Sequence, residues 1–253
     1  MSVASQKTRA QSGGFGETVK VIIQALLLAF IVRTFLFQPF NIPSGSMKET
    51  LLVGDYLFVA KYSYGYSRFS FPFGLGFFDG RVWAADPERG DIAVFKLPRD
   101  GKTDYIKRVI GLPGDKIQMV DGVLHINGQA VEREKIDNFQ ETNRFGQEES
   151  YARYRETLPN GVSYEALDRD VNGTYDNTKI YEVPSGNFFM MGDNRDNSAD
   201  SREQGPLGVG FVPLENFVGR AEIKFFSVEE GSRAWEFWKW PWTVRAERIF
   251  DTL

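Results

Sequence analysis

The pattern of apolar and polar positions divides the chain into one long apolar segment and a series of short alternating ones. The apolar segment, Val19–Phe37, is about long enough to span a bilayer as a helix. Its two charged residues, Lys20 and Arg33, lie near its ends, where long side chains reach the lipid headgroups. We therefore predict a transmembrane helix over residues 17–38, preceded by a flexible tail over residues 1–16.

Two other interpretations of the apolar segment stay open. A cleaved secretory signal is disfavoured, because no small-x-small cleavage site follows and the sequence continues as R-T-F-L-F-Q-P-F. A buried core helix would have a similar composition. The basic residues Lys7, Arg9 and Lys20 are opposed only by Glu17, so the positive-inside rule predicts a cytoplasmic N-terminus. The chain after Phe40 would then lie outside the cytoplasm.

Short segments with alternating, β-branched and aromatic residues follow, and they predict a mostly β fold. Asp55–Tyr62, Asp91–Leu97 and Tyr105–Asp115 have the composition of strands, and the last ends in the turn sequence G-L-P-G-D. Ile117–Gly186 differs from them, because short Gly-bounded strands give way to charged and polar stretches. We interpret it as an inserted β subdomain with exposed connections.

Two aromatic segments have no single interpretation. Ser63–Gly80 is rich in Phe, Gly and Pro, which fits an aromatic hairpin on the core, a wedge in the lipid headgroups or a covered loop. Its G-x-G at Gly74 and Gly76 does not follow a strand and open a helix, so it is discounted as a nucleotide signal. Four tryptophans crowd the C-terminal region, where they fit either the membrane interface or an aromatic cap on the core. They are Trp235, Trp238, Trp240 and Trp242.

Composition removes several classes of chemistry. The 253 residues contain no cysteine, which excludes disulfides, thiolate catalysis and cysteine-ligated metals. The single histidine, His125, excludes a multi-histidine metal site and leaves a Ser-His-Asp triad one candidate. A net charge of −4 gives no basic footprint for nucleic acid. If the chain is a hydrolase, we expect its base to be a residue other than histidine.

Two serines follow the apolar segment closely, in the sequence N-I-P-S-G-S-M-K-E-T-L-L-V-G at Asn41–Gly54. Pro43 fixes its own φ, and Gly45 between Ser44 and Ser46 allows backbone conformations that a side chain would forbid. Such a turn can present a hydroxyl and a backbone N–H to one point, as a serine nucleophile and its oxyanion hole require. An ordinary polar loop has the same composition, so this stretch alone does not distinguish a nucleophile turn from such a loop.

Lys107 is a candidate base in the strand that begins at Tyr105. Ile106, Val109 and Ile110 lie beside it in sequence, which favours an apolar setting. A lysine in a strand is more often a solvated edge charge, so the position by itself does not identify a base.

A dense polar loop lies within Phe188–Gly210. The EF-hand pattern fails there, because Ser198 stands where glycine is needed and Gln204 where the bidentate glutamate belongs. Acids and arginines alternate, which predicts a rigid loop whose charges pair internally. These residues are Asp193, Arg195, Asp196, Asp200 and Arg202.

Taken in order, five stretches resemble the type I signal peptidases, the bacterial leader peptidases. They are the apolar helix, P-S-G-S-M at Pro43–Met47 followed by T-L-L, G-D-Y-L-F-V-A-K-Y-S-Y-G at Gly54–Gly65, G-D-I-A-V-F and Y-I-K-R-V-I-G-L-P-G-D within Gly90–Asp115, and G-D-N-R-D-N-S-A-D-S-R at Gly192–Arg202. The resemblance leaves out the Ile117–Gly186 insert, the Phe-rich segment and the tail. One departure is Glu49, which stands where the family usually has proline before T-L.

The resemblance implies a serine–lysine dyad, with Ser46 as nucleophile and Lys107 as general base. Lysine acts as a base only when neutral, and lowering its pKa from about 10.4 by roughly 2–3 units requires about 3–4 kcal/mol of differential destabilisation. The family pattern gives Ser198 the role of orienting Lys107. It assigns the oxyanion to the Ser46 backbone N–H and the Ser44 hydroxyl. Further residues map to positions that brace the site or, for the last, line the substrate pocket: Asp193, Arg195, Asp200, Arg202, Arg108, Tyr105 and Met47.

The same resemblance implies a mostly β, signal-peptidase-like catalytic core over residues 39–116 and 187–253, with the inserted β subdomain at residues 117–186. The substrates would be signal peptides of exported preproteins, bound as an added β-strand with small pockets that select alanine. The bilayer is the other implied partner; no cofactor, metal or nucleic acid is implied, and the oligomeric state is left open. The implied location is the inner membrane, with a single span, a cytoplasmic N-terminus and a periplasmic catalytic domain.

Two other functions stay open. One is a related serine–lysine protease that matures a specialised pilin or conjugation substrate. The other is a non-enzymatic, membrane-anchored β module that binds peptides, in which Ser44, Ser46 and Lys107 are ordinary loop and strand residues. Cleavage of ordinary preproteins separates the first from a general signal peptidase, and acylation of Ser46 excludes the second.

Overall fold

The structure is a computed structural model, and it describes residues 15–71, 78–142, 146–170 and 172–253. Most of the predicted tail, the G-x-G at Gly74 and Gly76, and the centre of the Phe-rich segment lie outside the described residues.

An apolar helix opens the described part of the chain. Helix α1 spans Phe15–Ile31, none of its side chains is buried, and it continues into a π-helical turn at Val32–Leu36. Together they form a helix of 22 residues that is long and apolar enough to cross a membrane. It is the one such helix among the described residues. The prediction of one N-terminal apolar helix is confirmed, and the helix begins and ends slightly earlier than the predicted span of 17–38.

The remainder is mostly β, as predicted, with a short second helix, α2, at Trp240–Thr243. The described strands are β1 (Phe37–Asn41), β2 (Asp55–Ala60), β3 (Tyr66–Ser67), β4 (Arg81–Val82), β5 (Ile92–Lys96), β6 (Asp104–Gly111), β7 (Lys116–Val120), β8 (Val123–Ile126), β9 (Gln129–Ala130), β10 (Glu132–Lys135), β11 (Phe139–Thr142), β12 (Glu148–Thr157), β13 (Ser163–Asp168), β14 (Tyr181–Glu182), β15 (Asn187–Met191), β16 (Val212–Pro213), β17 (Phe217–Ser227) and β18 (Asp251–Thr252).

The largest sheet has eight strands in the order β1-β2-β17-β5-β6-β15-β16, with β18 paired to β17. β17 comes late in the sequence but lies between β2 and β5, so it joins the strands that precede the insert. β6, which carries Lys107, lies antiparallel to both β5 and β15, with Ala93 opposite Lys107 and Met191 opposite Arg108. This order places the strand of Lys107 beside the strand that leads into the polar loop.

Two smaller sheets are built from the residues between β6 and β15. One contains β10, β12, β11 and β13, and the other has the order β14-β7-β8-β9. The apolar cluster under these strands also includes Ile110, Phe189 and Met191 of the large sheet. Because one cluster spans both sides of the boundary, the division into a catalytic core (39–116, 187–253) and an inserted subdomain (117–186) stays a prediction.

The two aromatic segments differ, because strands pair near the ends of the Phe-rich segment whereas the C-terminal tryptophans are exposed. β3 and β4 form a short antiparallel pair near the two ends of the Phe-rich segment. The C-terminal tryptophans are exposed, and Trp242 keeps 76% of its surface accessible. Trp240 contacts Phe226 with ring centroids 5.0 Å apart, so membrane-interface residues and an aromatic cap on the core both stay predictions for these tryptophans.

Candidate active site

Ser46 lies in a single 3-10 turn, Gly45–Met47, between β1 and β2. Met47 and Leu51 are fully buried and pack with side chains of β2 and β5, so this turn is held against the large sheet. Ser44 comes just before the turn in an extended conformation, is exposed, and does not cap the turn with its hydroxyl. The chain therefore presents Ser46 buried at 8% exposure and Ser44 open beside it.

Lys107 meets Ser46 directly. Its Nζ donates a hydrogen bond to Ser46 Oγ at 2.7 Å and another to the Ile106 carbonyl oxygen at 2.8 Å. The side chain is only 3% exposed, and Nζ lies 5.4 Å from the centre of the Tyr105 ring. Among the residues that the structure describes, no carboxylate forms an ion pair with it. The alternative of a solvated edge-strand charge is wrong.

Burial shifts the proton equilibrium of this lysine. Desolvation lowers the pKa of Lys107 to about 8, although Asp200 and Asp193 act in the opposite direction. A lysine with that pKa is about one-tenth neutral at pH 7, far more than an unperturbed lysine. At the observed distance, the lone pair of the neutral amine can accept the hydroxyl proton of Ser46.

Ser198 lies close to the backbone of Ser46 rather than being bonded to the lysine. A Cβ added at Gly192 would lie 2.2 Å from Ser198 Oγ and 2.5 Å from the Ser46 carbonyl oxygen, so all three groups meet there. Ser198 is buried, and within the described chain its hydroxyl makes no hydrogen bond to Lys107. Its orienting role stays a prediction.

Arg108 and Asp193 form a buried bidentate ion pair beside the dyad. Arg108 Nε donates to Asp193 Oδ1 at 2.9 Å, and Nη2 donates to Oδ2 at 2.7 Å. Burial by itself lowers the pKa of Arg108, but Asp193 outweighs it and the net pKa lies above the usual range. The Thr50 hydroxyl, from the chain after the serine turn, also donates to Asp193 Oδ2 at 2.5 Å. This pair links the serine loop, β6 and the polar loop.

Asp200 and Arg202 form a second buried pair, within the polar loop itself. Arg202 donates to both carboxylate oxygens of Asp200, at 2.9 and 2.8 Å, and to the Arg195 carbonyl oxygen at 2.6 Å. Burial raises the pKa of Asp200, but Arg202 and the N–H of Gly192 outweigh it, so the net pKa is lowered. Asp200 thus remains ionised and holds Gly192 in place.

The other charges of this loop pair outside it. Arg195 donates to Glu156 of β12 and, at 2.9 Å, to the Tyr164 hydroxyl of β13. Asp196 accepts hydrogen bonds from the backbone N–H groups of Arg169 and Asp170, at 2.7 and 3.0 Å. The prediction of an internally paired loop is therefore wrong except for Asp200 and Arg202. The sequence shows which charged residues the loop contains, but it does not show which residues they pair with.

Three residues that sequence reasoning missed support the site. Asn194 donates from its backbone N–H to the Ser46 carbonyl oxygen at 3.2 Å, and from its side chain to the Gly45 carbonyl oxygen at 3.0 Å. The sequence feature that could have identified Asn194 is its position inside the Gly192–Arg202 motif. Glu156 is fully buried, and Tyr164 packs its ring 4.3 Å from the Arg108 guanidinium carbon. Both belong to the insert, where polar composition gave no sign of them.

The serine turn also touches the insert through its next residues. Lys48 Nζ pairs with Glu141 at 2.6 Å, and Glu49 pairs with Arg153 at 3.4 Å. Glu49, where the family usually has proline, is thus part of the contact between the serine loop and the insert. Burial raises the pKa of Glu49, with Arg153 acting against that shift.

One group of acids has the spacing of metal ligands among the described residues. Carboxylate oxygens of Asp168, Asp176 and Asp196 all lie within 4.8 Å of one another. Arg133 already pairs with Asp168 at 2.7 Å. None of these side chains contacts the dyad through a described hydrogen bond.

Comparisons with known proteins place the chain in a family. The family described as "Signal peptidase, peptidase S26" matches residues 15–226. The chain belongs to this family. It is 44% identical over 248 residues to signal peptidase I of Rickettsia typhi, with 90% of each chain covered. Against signal peptidase I of Rickettsia prowazekii the identity is 43% over 272 aligned positions, covering 100% of this chain and 97% of the other. A crystal structure of a signal peptidase I from Enterococcus faecalis is 26% identical, with a TM-score of 0.31, over 54% of this chain and 97% of that one.

Proposed function

We infer that this protein is a membrane-anchored serine endopeptidase that removes signal peptides from exported preproteins. Membership of the signal peptidase family gives the reaction, and the apolar helix Phe15–Leu36 supplies the anchor. The observation that carries the chemistry is the 2.7 Å contact between Lys107 Nζ and Ser46 Oγ, in a setting that lowers the lysine pKa. No described carboxylate is paired with that amine to keep it protonated.

In the proposed reaction, Ser46 Oγ attacks the scissile carbonyl carbon while neutral Lys107 takes the hydroxyl proton. The resulting ammonium then gives that proton to the leaving amine as the C–N bond breaks. Water attacks the acyl-enzyme in the second half of the reaction, with Lys107 again the base. Hydrolysis of the ester frees the signal peptide and restores the hydroxyl of Ser46.

The oxyanion is assigned to the Ser46 backbone N–H and the Ser44 hydroxyl. Support for Ser44 is its position directly before the turn and its hydroxyl, which no cap hydrogen bond occupies. We assign Ser198 to orient Lys107, because it lies against Ser46 and Gly192. Bracing is assigned to the two buried ion pairs and their neighbours: Arg108, Asp193, Arg195, Asp200, Arg202 and Tyr105.

The signal peptide is proposed to bind as an added strand along β1. This strand ends the order of the large sheet with β2 as its one described neighbour, and it leads almost directly into Ser44 and Ser46. A peptide paired along it would present a carbonyl near Ser46. Met47, buried in the cluster that also contacts Phe40, is proposed as the floor of the pocket for the residue before the cut.

Anchoring and location follow from the same geometry. Only β1 and a short loop separate the end of the apolar helix from Ser46. A site so placed would lie where the signal peptide's own apolar segment leaves the bilayer. We propose a single span in the inner membrane, with the basic N-terminal flank in the cytoplasm and the β sheets in the periplasm.

The test uses the full-length protein in detergent with a panel of ordinary preproteins and an acylating serine-directed inhibitor. We expect Ser46→Ala to lose both cleavage and covalent labelling, because no nucleophile remains. Ser185→Ala, at an exposed loop position, is the matched control and should behave as wild type. Cleavage by Ser46→Ala at a rate near that of wild type would overturn the assignment. Cleavage confined to one specialised substrate would instead indicate a narrower protease.

A further inference from the structure

A cavity of about 310 Å³ lies beside the end of the apolar helix, and neither Ser46 nor Lys107 lines it. Its lining is strongly basic. Four cations and one acid face it: Arg33, Lys61, Lys96, Lys102 and Asp104.

The positive charge of this cavity is largely uncompensated. Lys96 pairs with Asp104 at 2.8 Å, which neutralises one cation. Arg33, Lys61 and Lys102 form no ion pair with any described carboxylate. The cavity thus holds three cations in excess, an arrangement that attracts an anion and repels further cations.

Lys61 is the most constrained of these cations. It is only 2% exposed, and its described hydrogen bond goes to the Ser70 carbonyl oxygen. An ammonium has three N–H donors, so this bond leaves donors available. Burial, reinforced by Arg33, lowers the pKa of Lys61 to about 8. An anion in the cavity would supply both acceptors and countercharge.

The cavity lies where the apolar helix ends. Arg33 belongs to the turn Val32–Leu36, whose Phe35 and Leu36 are exposed. Phe69 and Phe71 give the cavity an apolar wall, and Phe71 contacts Phe35 with ring centroids 6.1 Å apart. A cationic cavity with an apolar wall at the end of a membrane helix sits at the depth of lipid headgroups.

We propose that this cavity binds the phosphate of an anionic phospholipid headgroup, with Lys61 and Lys102 donating to it. The proposal rests on the membrane anchoring inferred above. The aromatic wall suits the glycerol and the first acyl carbons, which free phosphate lacks. The excess positive charge favours phosphatidylglycerol over phosphatidylcholine, whose choline cation would be repelled.

Lipid binding can be measured separately from cleavage. Full-length protein in neutral detergent is titrated with short-chain phosphatidylglycerol, and bound lipid is counted by native mass spectrometry. Each cation near a lipid surface changes affinity by roughly fivefold. We therefore expect Lys102→Gln to weaken binding about fivefold and Lys61→Met/Lys102→Gln about 30-fold. Lys135→Gln, an exposed position in the insert, is the matched control and should bind as wild type does.

Three outcomes would overturn the proposal. Lys102 is exposed, so Lys102→Gln should fold normally, and wild-type lipid affinity in this variant contradicts the site. Displacement by equimolar inorganic phosphate would show a free-anion site. If Lys102→Gln lost binding to a synthetic signal peptide while its phosphatidylglycerol binding was unchanged, the cavity would be assigned to the substrate. Preprotein cleavage is assayed on the same samples, so failure of the protease assignment would appear independently of lipid binding.

Discussion

Lys107 and Lys61 are two buried lysines whose surroundings differ in one decisive way. Each is nearly inaccessible, and burial lowers the pKa of each to about 8. Lys107 donates to a serine hydroxyl, with Asp200 and Asp193 raising its pKa against burial. Lys61 donates to a backbone carbonyl oxygen, and Arg33 lowers its pKa further.

The comparison shows that burial alone does not make a lysine a base. Desolvation brings both amines into the titration range that general-base chemistry needs. Among the hydrogen bonds of the described residues, Lys107 is the one of the two lysines that contacts a hydroxyl, so Lys107 has a proton to take. Lys61 has free donors and cationic neighbours, which suit an anion instead. Partner atoms, rather than pKa, separate the two roles.

The largest expected effect comes from removing the amine of Lys107, with removal of the Lys61 amine as the comparison. Lys107→Met keeps most of the side-chain volume but leaves Ser46 without a base, so we expect cleavage to fall at least about 1,000-fold. Lys61→Met makes the same change outside the dyad and should leave preprotein cleavage in detergent within a few-fold of wild type. Steady-state cleavage with melting temperatures measures both. Comparable losses in two folded variants would contradict the distinction between these lysines.

A smaller effect is expected from Gly192→Ala. The added methyl would meet Ser198 Oγ at 2.2 Å and the Ser46 carbonyl oxygen at 2.5 Å, so Ser46 must shift relative to Lys107. A displacement of about 1 Å at a reacting group costs on the order of 100-fold in rate. Gly205→Ala in the same loop is the control, because its Cβ would meet nothing within 4 Å. Full activity in Gly192→Ala would show that this contact does not position the dyad.

The smallest expected effect is the change in cleavage rate for each unit of pH. Because Lys107 must lose its proton to act, kcat/KM should rise about tenfold per pH unit below the lysine pKa of about 8 and level off above it. Lys61→Met should give the same profile, although the lost lysine also has a pKa of about 8. A profile that is flat from about pH 6 to 8, or one that changes in Lys61→Met, would break the assignment of the titration to Lys107.

Sequence pattern alone determined much of the local structure. Apolar run length predicted the N-terminal helix, and β-branched alternation predicted β2, β5 and β6 close to their observed bounds. These features depend on neighbours along the chain, which the sequence shows directly. The ordered motifs also led to Ser46 and Lys107 before their contact was known.

Tertiary structure decided which distant residues meet. No local sequence pattern pairs Arg195 with Glu156 in the insert, or places Arg33 of the apolar helix on the same cavity as Lys102. Both contacts depend on strand order and on packing across the insert boundary, which no local pattern encodes. The difference between Lys107 and Lys61 has the same origin, because composition shows a lysine in an apolar setting while only the fold supplies the atom that it faces.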